Sequence, residues 1–248
     1  MKFHNRLVLS AMAGINSWHF AREFEAGFVI LGGFNADRRS MEAGMKAVRR
    51  GRREFIFGNP LSGIEKQLEM AESSGKIIGV NVRSAELQGY VDVARIAAEY
   101  GAVVEINAHC RQPEFLEIEC GQSLLFNIEK LAEIVRSTEK FCEVIVKIRG
   151  GLEIDYPDLA DRLFAEGALM IHVDAMIPGG GADFGLIEAV SEKGSVIGNN
   201  SVRDPESAKM MIEHGAKLVS IARMALADRD IFKKLLKDHV LASGIEVI

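Results

Sequence analysis

Two cysteines, a histidine and an asparagine fall within one stretch, EINAHCRQPEFLEIECGQSLL, residues 105–125. Asn107 and Cys110 stand three residues apart, so an amide and a thiol could face one substrate. A thiol with a reference pKa near ~8.5 stays mostly protonated at neutral pH, so Cys110 can act as a proton donor or, with a suitable partner, as a thiolate. The plainer alternative makes Cys110 a small buried residue and His109 a surface side chain. A zinc site built from His109, Cys110 and Cys120 is disfavoured, because their spacing matches no Cys-x-x-Cys ligand set.

Other candidates lie further along the chain. Lys147 interrupts a run of Val and Ile in EVIVKIR (143–149), so its ammonium must emerge at a strand end or meet a partner, since an unpaired buried charge costs several kcal/mol. The segments GNNSVRDPES (198–207) and SIARMALADRD (220–230) run into helices and could present backbone N–H groups to a phosphate, with Arg223 as a charged clamp; capped turns would give the same composition. The glycine cluster PGGGAD (178–183) has no following Lys-Ser or Lys-Thr, and reads as a loop over a site rather than a phosphate cradle. Residues 38–53 hold six arginines and Lys46 against a single acid, Glu42, which suits either an anionic partner or a solvated helix face.

The elements that must position these groups follow a repeating pattern. Eight short apolar runs, 6–13, 27–31, 76–82, 102–107, 143–149, 168–174, 195–199 and 217–222, are continuous rather than alternating, as parallel strands buried on both faces require. Amphipathic segments separate them: 123–136 carries Leu124, Ile128, Leu131 and Val135 at helical spacing, and Asp204-Pro205 marks a helix start. Eight strand–helix units predict a single-domain (β/α)8 TIM barrel over 1–248, with an elaborated loop region at 32–75. In such a barrel chemistry sits at the strand C-termini, which places Met12, Ala13, Asn81, Asn107, Lys147, Arg149, Asp174, Asn199, Asn200, Ala222 and Arg223 at the mouth. The rival open sheet lacks its GxGxxG fingerprint after the first strand, and no NAD(P) site is visible.

A net charge of −5 opposes general nucleic-acid binding, which needs a broad basic footprint. Three cysteines and no signal-like N-terminus predict a cytoplasmic protein without disulfides, and no apolar run approaches the ~20 residues of a membrane span.

Taken in order, SAMAGINSWHFAREF, EINAHC, VIVKIR, VIGNNSV and VSIARMAL resemble motifs of the flavin-dependent barrels that include the tRNA-dihydrouridine synthases, with dihydroorotate and dihydropyrimidine dehydrogenases as more distant relatives. The resemblance spans about residues 7–228. It implies FMN held by the backbone of Ala11, Met12 and Ala13, with Asn81 at the place of a flavin-binding glutamine and Lys147 against the flavin ring. Asn199, Asn200, Ser201, Ala222 and Arg223 would hold the phosphate. Asn107 would bind a pyrimidine, and Cys110 would protonate one carbon of a C=C bond while reduced flavin delivers hydride to the other. Departures from the family pattern are Arg111 for proline, Asn200 and Ala222 for glycines, and Asp174 for the sixth-strand histidine unless His172 serves through a shifted register. The tRNA-modifying members carry a C-terminal helical domain, and this chain ends soon after its eighth helix, so a free pyrimidine is the alternative substrate to uridine in tRNA. A non-flavin phosphate-binding barrel, or an RNA-associated subunit acting through 38–53, is the reading from outside that chemistry. The electron donor and oligomeric state are left open.

Overall fold

The computed structural model describes residues 1–177 and 179–248. Eight parallel strands close into a barrel: β1 (Leu7–Leu9), β2 (Phe28–Asn35), β3 (Ile77–Arg83), β4 (Val103–Ala108), β5 (Val144–Arg149), β6 (Met170–Asp174), β7 (Val196–Asn199) and β8 (Leu218–Ile221). Pairing of Leu9 with Ile221 closes the ring between β1 and β8. Each strand buries both faces. In β5, Val144, Val146 and Ile148 pack outward against the helices, while Ile145 joins the barrel interior. The interior's lower layer is apolar, with Val8, Phe28, Val103, Ile145, Met170 and Ile197 in contact. A terminal ribbon pairing Lys2 with Glu246 and Phe3 with Ile245 seals this end, burying Phe3 and Val247. Chemistry is thereby confined to the opposite, C-terminal end.

Three expected boundaries move. The first strand, expected over 6–13, ends at Leu9, because the chain turns at Met12, whose carbonyl accepts the N–H groups of Ile15 and Asn16. The helix expected over 123–136 splits into a 3-10 turn, Gly121–Phe126, and a helix, Ile128–Glu139. Asn127 forces the break: its side chain caps the second piece by accepting the N–H of Lys130 at 3.1 Å. The region 32–75 is mostly regular, holding the end of β2 and the helices Arg38–Arg49 and Pro60–Ala71 around the irregular segment 50–59. The expected helix start at Asp204 and Pro205 is present as a reciprocal capping box with Ser207. Of the glycine-rich segment, Pro178 lies outside the described residues, while Gly179, Gly180 and Gly181 border open space and a bridge between Met176 and Ala182 pinches the loop at its base. No described helix is long and apolar enough to cross a membrane.

Candidate active site at the barrel mouth

Above the apolar layer the inward-facing positions turn polar. Alternate strands supply successive layers in such barrels. Ser10, Asn81, Lys147 and Asn199 come from the odd strands or their ends, and Glu105, His172 and Ser220 from the even ones. The even set forms a continuous chain. His172 Nδ1 lies 2.5 Å from a Glu105 oxygen, and its Nε2 lies 2.6 Å from Ser220 Oγ. A carboxylate only accepts, so Nδ1 carries the proton and the Ser220 hydroxyl donates to Nε2, its own oxygen accepting from the Asn199 amide. Burial and the nearby Lys147 charge push His172 down to about 4, against the pull of Glu105. His172 is therefore neutral and wholly enclosed.

Lys147, 4% exposed, donates to Ser10 Oγ at 2.6 Å. Burial pulls its pKa below the ordinary lysine value, opposed by Glu105 and Asp174. One storey higher, Asp174 gathers three donors: His109 Nε2 at 2.8 Å, Asn200 Nδ2 at 3.2 Å and Arg149 Nη1 at 3.4 Å. Burial raises its pKa, but His109, Lys147 and Arg149 outweigh that and bring it to about 2. The strand register pairs Lys147 with His172 and Arg149 with Asp174. Asp174, not His172, therefore stands at the rim.

The 107–110 turn is held by Asn107, whose Oδ1 accepts the N–H of His109 at 3.2 Å and of Cys110 at 2.9 Å. Its Nδ2 donates to Asn81 Oδ1 at 2.8 Å, and Asn81 in turn donates to Glu105 at 2.6 Å. A line of amides thus connects the buried carboxylate to the turn. From it the two neighbouring side chains diverge. His109 reaches β6, whereas Cys110, 5% exposed, packs with Ala43, Ala47, Ala85, Phe115 and Cys120. The thiol meets Arg83 Nη1 at 3.7 Å. Arg83 lies over the Phe115 ring and is paired with Glu54 from the segment 50–59, both side chains being buried. Cys120 is a core residue, its thiol pushed up to about 12 by burial. Gly121 behind it is required, since a Cβ there would come within 2.2 Å of the Cys110 carbonyl oxygen.

The remaining expected residues line the rim. Ala11, Met12 and Ala13 leave β1 half-buried, and Gly14 meets the segment 50–59 so closely that a Cβ would fall 2.5 Å from Glu54 N. Asn200 and Ser201 follow β7 with φ of 99° and 57°, left-handed values that Asn in particular tolerates, which explains how the turn forms without glycine. Ala222, at φ −122°, needs none. The N–H groups of Ser201, Val202 and Ala222 find no acceptor among the described residues, and Arg223 is exposed beside them. The structure thus brings Lys147, Asp174 and the two rim turns to one end of the barrel with Asn81 and Asn107, while the Cys110 thiol faces away into the outer packing. Sequence reasoning missed Ser10, Glu105, Ser220 and the Arg83–Glu54 pair. Polar residues at every second position of apolar strands were the available signal for Ser10, Glu105 and Ser220; nothing local marks Glu54.

Comparison with known proteins agrees with this architecture. The family model described as Dihydrouridine synthase (Dus) matches residues 63–243. The uncharacterized protein MJ0144 of Methanocaldococcus jannaschii is 32% identical over 254 residues, covering 96% of both chains. Among solved structures, a FabK mutant (M276A) from Thermotoga maritima superposes with a TM-score of 0.59 at 17% identity, over 95% of this chain and 69% of that one. A morphinone reductase mutant (N189A) in complex with tetrahydroNAD gives 0.63 at 14% identity, over 94% and 86%. These two likenesses bear on the fold.

Proposed function

We propose, starting from the fact that this chain belongs to the dihydrouridine synthase family and is an oxidoreductase acting on CH–CH groups, that it binds FMN at the barrel mouth and reduces the C=C bond of a uracil-type base, with uridine in tRNA as substrate. The observation that carries the reading is Lys147, an enclosed ammonium at the mouth with one hydrogen bond made and two N–H groups unspent among the described residues. A buried cation of this kind suits a ring that accumulates negative charge.

The donor set fits FMN. The N–H groups of Ser201, Val202 and Ala222, without acceptors among the described residues, suit the phosphate together with Arg223, and the half-buried backbone of Ala11, Met12 and Ala13 suits one edge of the ring. Reduced FMN would supply the hydride for one carbon of the C=C bond. The chain supplies the rest. Asn81, fixed by Glu105, holds Asn107, and Asn107 holds the turn from which a proton must reach the other carbon. That turn offers the thiol of Cys110 and the imidazole of His109.

tRNA is favoured over a free pyrimidine by the surface beside the mouth. Arg39, Lys46, Arg49 and Arg53 are exposed, and the segment following the Arg38–Arg49 helix runs on to Glu54, which touches Arg83 and abuts Gly14. A polyanion held there would lie alongside the site. The test begins with the small molecule released on denaturation, identified by mass, and with the visible absorbance of protein mixed with FMN. Absence of flavin by both measures overturns the cofactor assignment. Unchanged dihydrouridine in tRNA from cells lacking the protein overturns the substrate, and turnover of free pyrimidine would then replace it.

A further inference from the structure

We infer that His109, held by Asp174, is the proton-transfer group of this mouth, and that Cys110 shapes the turn as a packing residue. The inference rests on the proposed reduction for its hydride and goes beyond it in naming the acid.

The two side chains leave one turn in opposite senses. Cys110 is enclosed by residues of the Arg38–Arg49 helix and of 113–120, outside the ring of strands. Its polar neighbour Arg83 is already engaged by Glu54 and by the carbonyl of Gly33 at 3.1 Å. His109 instead crosses the top of β5 to meet Asp174 at the end of β6, and its side chain stays 32% exposed. Because Asp174 is ionised and can only accept, Nε2 carries a hydrogen. Nδ1 has no partner among the described residues and is the atom left to bind or release a proton. Asp174 is itself fixed by Arg149 and Asn200, so the ring is held as in other Asp–His pairs in which the carboxylate sets tautomer and orientation.

The charged groups facing the ring are Asp174 from β6 and Lys147 and Arg149 from β5, with the titratable but neutral His172 one layer below and Arg111 next on its own segment. Burial, with Lys147 and Arg149, keeps the His109 pKa below its ordinary value although Asp174 pulls the other way. Reduction requires the protonated ring: bound reduced flavin would supply hydride to one carbon of the C=C bond, the π pair would take the Nδ1 proton at the other carbon, and the N–H electron pair would stay on a now neutral imidazole. Asp174 remains a carboxylate throughout. Reduction should therefore quicken as pH falls toward the His109 pKa, and the reverse dehydrogenation should use the neutral ring as base.

The experiment uses the full chain and the variants His109→Gln, Cys110→Ser and Asp174→Asn. Long-range nitrogen–proton NMR on flavin-free protein reads the ring directly: near neutral pH, His109 should be the neutral tautomer protonated at Nε2, with that preference weakened in Asp174→Asn. A ring protonated at Nδ1 alone would overturn the inference whether or not flavin binds. Oxidation of the reduced, flavin-loaded protein by an unmodified tRNA transcript, and separately by uridine, should slow about 100-fold or more in His109→Gln and lose its acid-side rise, with the flavin spectrum unchanged. Cys110→Ser should stay within about threefold of the parent, since no proton passes through it. Parental rate and pH profile in His109→Gln, or a collapse confined to Cys110→Ser, would overturn the assignment. Absence of flavin, or of turnover with both substrates, would defeat the proposed function instead, leaving the NMR result to decide on the ring.

Discussion

Acidification should weaken this fold well before the carboxylates begin to titrate, and the residue responsible is His172. The ring is wholly buried between Glu105 and Ser220, and burial together with Lys147 holds its pKa near about 4. In the unfolded chain the same ring takes up a proton near ~6.5. Between those values the unfolded state binds a proton that the native state refuses, so ΔG of unfolding rises with pH and falls on acidification. One proton is worth about 1.4 kcal/mol per pH unit, which gives a loss of about 2 kcal/mol by about pH 5 and about 3 kcal/mol by the end of the window. Glu105, whose carboxyl burial would raise but which His172 and Lys147 hold below the usual carboxylate range, adds to the loss at still lower pH.

Urea unfolding followed by the fluorescence of Trp18, the single tryptophan, and by far-ultraviolet circular dichroism would measure this at a series of pH values. His109 contributes in the same direction, so the decisive comparison is with His172→Gln, whose amide can still donate to Glu105. The variant should be less stable at neutral pH, yet its stability should fall less steeply from neutral pH to about 5, by up to about 1.4 kcal/mol per unit. Equal slopes in the two proteins, or no loss at all between about pH 7 and 5, would refute the placement of a neutral imidazole in this layer.

Three further outcomes follow from the geometry. Glu54→Gln should destabilise by about 3–5 kcal/mol in urea, because it leaves the Arg83 guanidinium buried without its counter-charge. Lys147→Met should weaken FMN binding by about tenfold or more, read by fluorescence titration of the flavin, and should also lower the melting temperature of the flavin-free protein, since it leaves the enclosed Glu105 carboxylate without the Lys147 charge that helps hold it ionised. Reversal of Arg39, Lys46 and Arg49 to glutamate should lower tRNA affinity and flatten its dependence on salt without altering FMN affinity; an unchanged salt slope would place the RNA elsewhere.

The eight strands were legible because parallel strands covered on both faces must be continuous in Val, Ile and Leu, and little else in a chain of this composition reads that way. Ser10 to Ala13 misled because a small, apolar sequence suits a strand and a rim turn equally; the decision belongs to Met12, whose carbonyl takes two turn hydrogen bonds. Asn127 could have been read as a cap, yet the hydrophobic spacing through Leu124 and Ile128 carried the helix across it. Lys147 was found as a polar interruption of an apolar run, and Asp174 as the residue that ends one. His109 and Cys110 were not separable in sequence, since their directions depend on Asp174 and on Ala43, Ala47 and Phe115, groups far away along the chain. Glu54 was unreadable for the same reason: its partner Arg83 is reached only once β3 is in the barrel.

The interior of this barrel changes character at one depth, and energetics says why that matters. Below that depth, Val8, Phe28, Ile145 and Met170 fill the cylinder at no polar cost. Above it, Glu105, Lys147, His172 and Ser220 occupy positions of the same kind, where apolar side chains of similar volume would be neutral or stabilising by about 1–4 kcal/mol. Glu105, His172 and Ser220 instead satisfy one another, His172 giving a hydrogen bond to Glu105 and taking one from Ser220, while Asn81 links Glu105 to Asn107 and Lys147 gives its one bond to Ser10. Stability alone would not select such a layer. It does fix the turn at 107–110 from below, through an unbroken series of directional bonds, while Asp174 fixes His109 from the side. The proposed reduction, in which proton and hydride reach adjacent carbons, requires that kind of positional rigidity, and a wholly apolar layer could not transmit it to a loop.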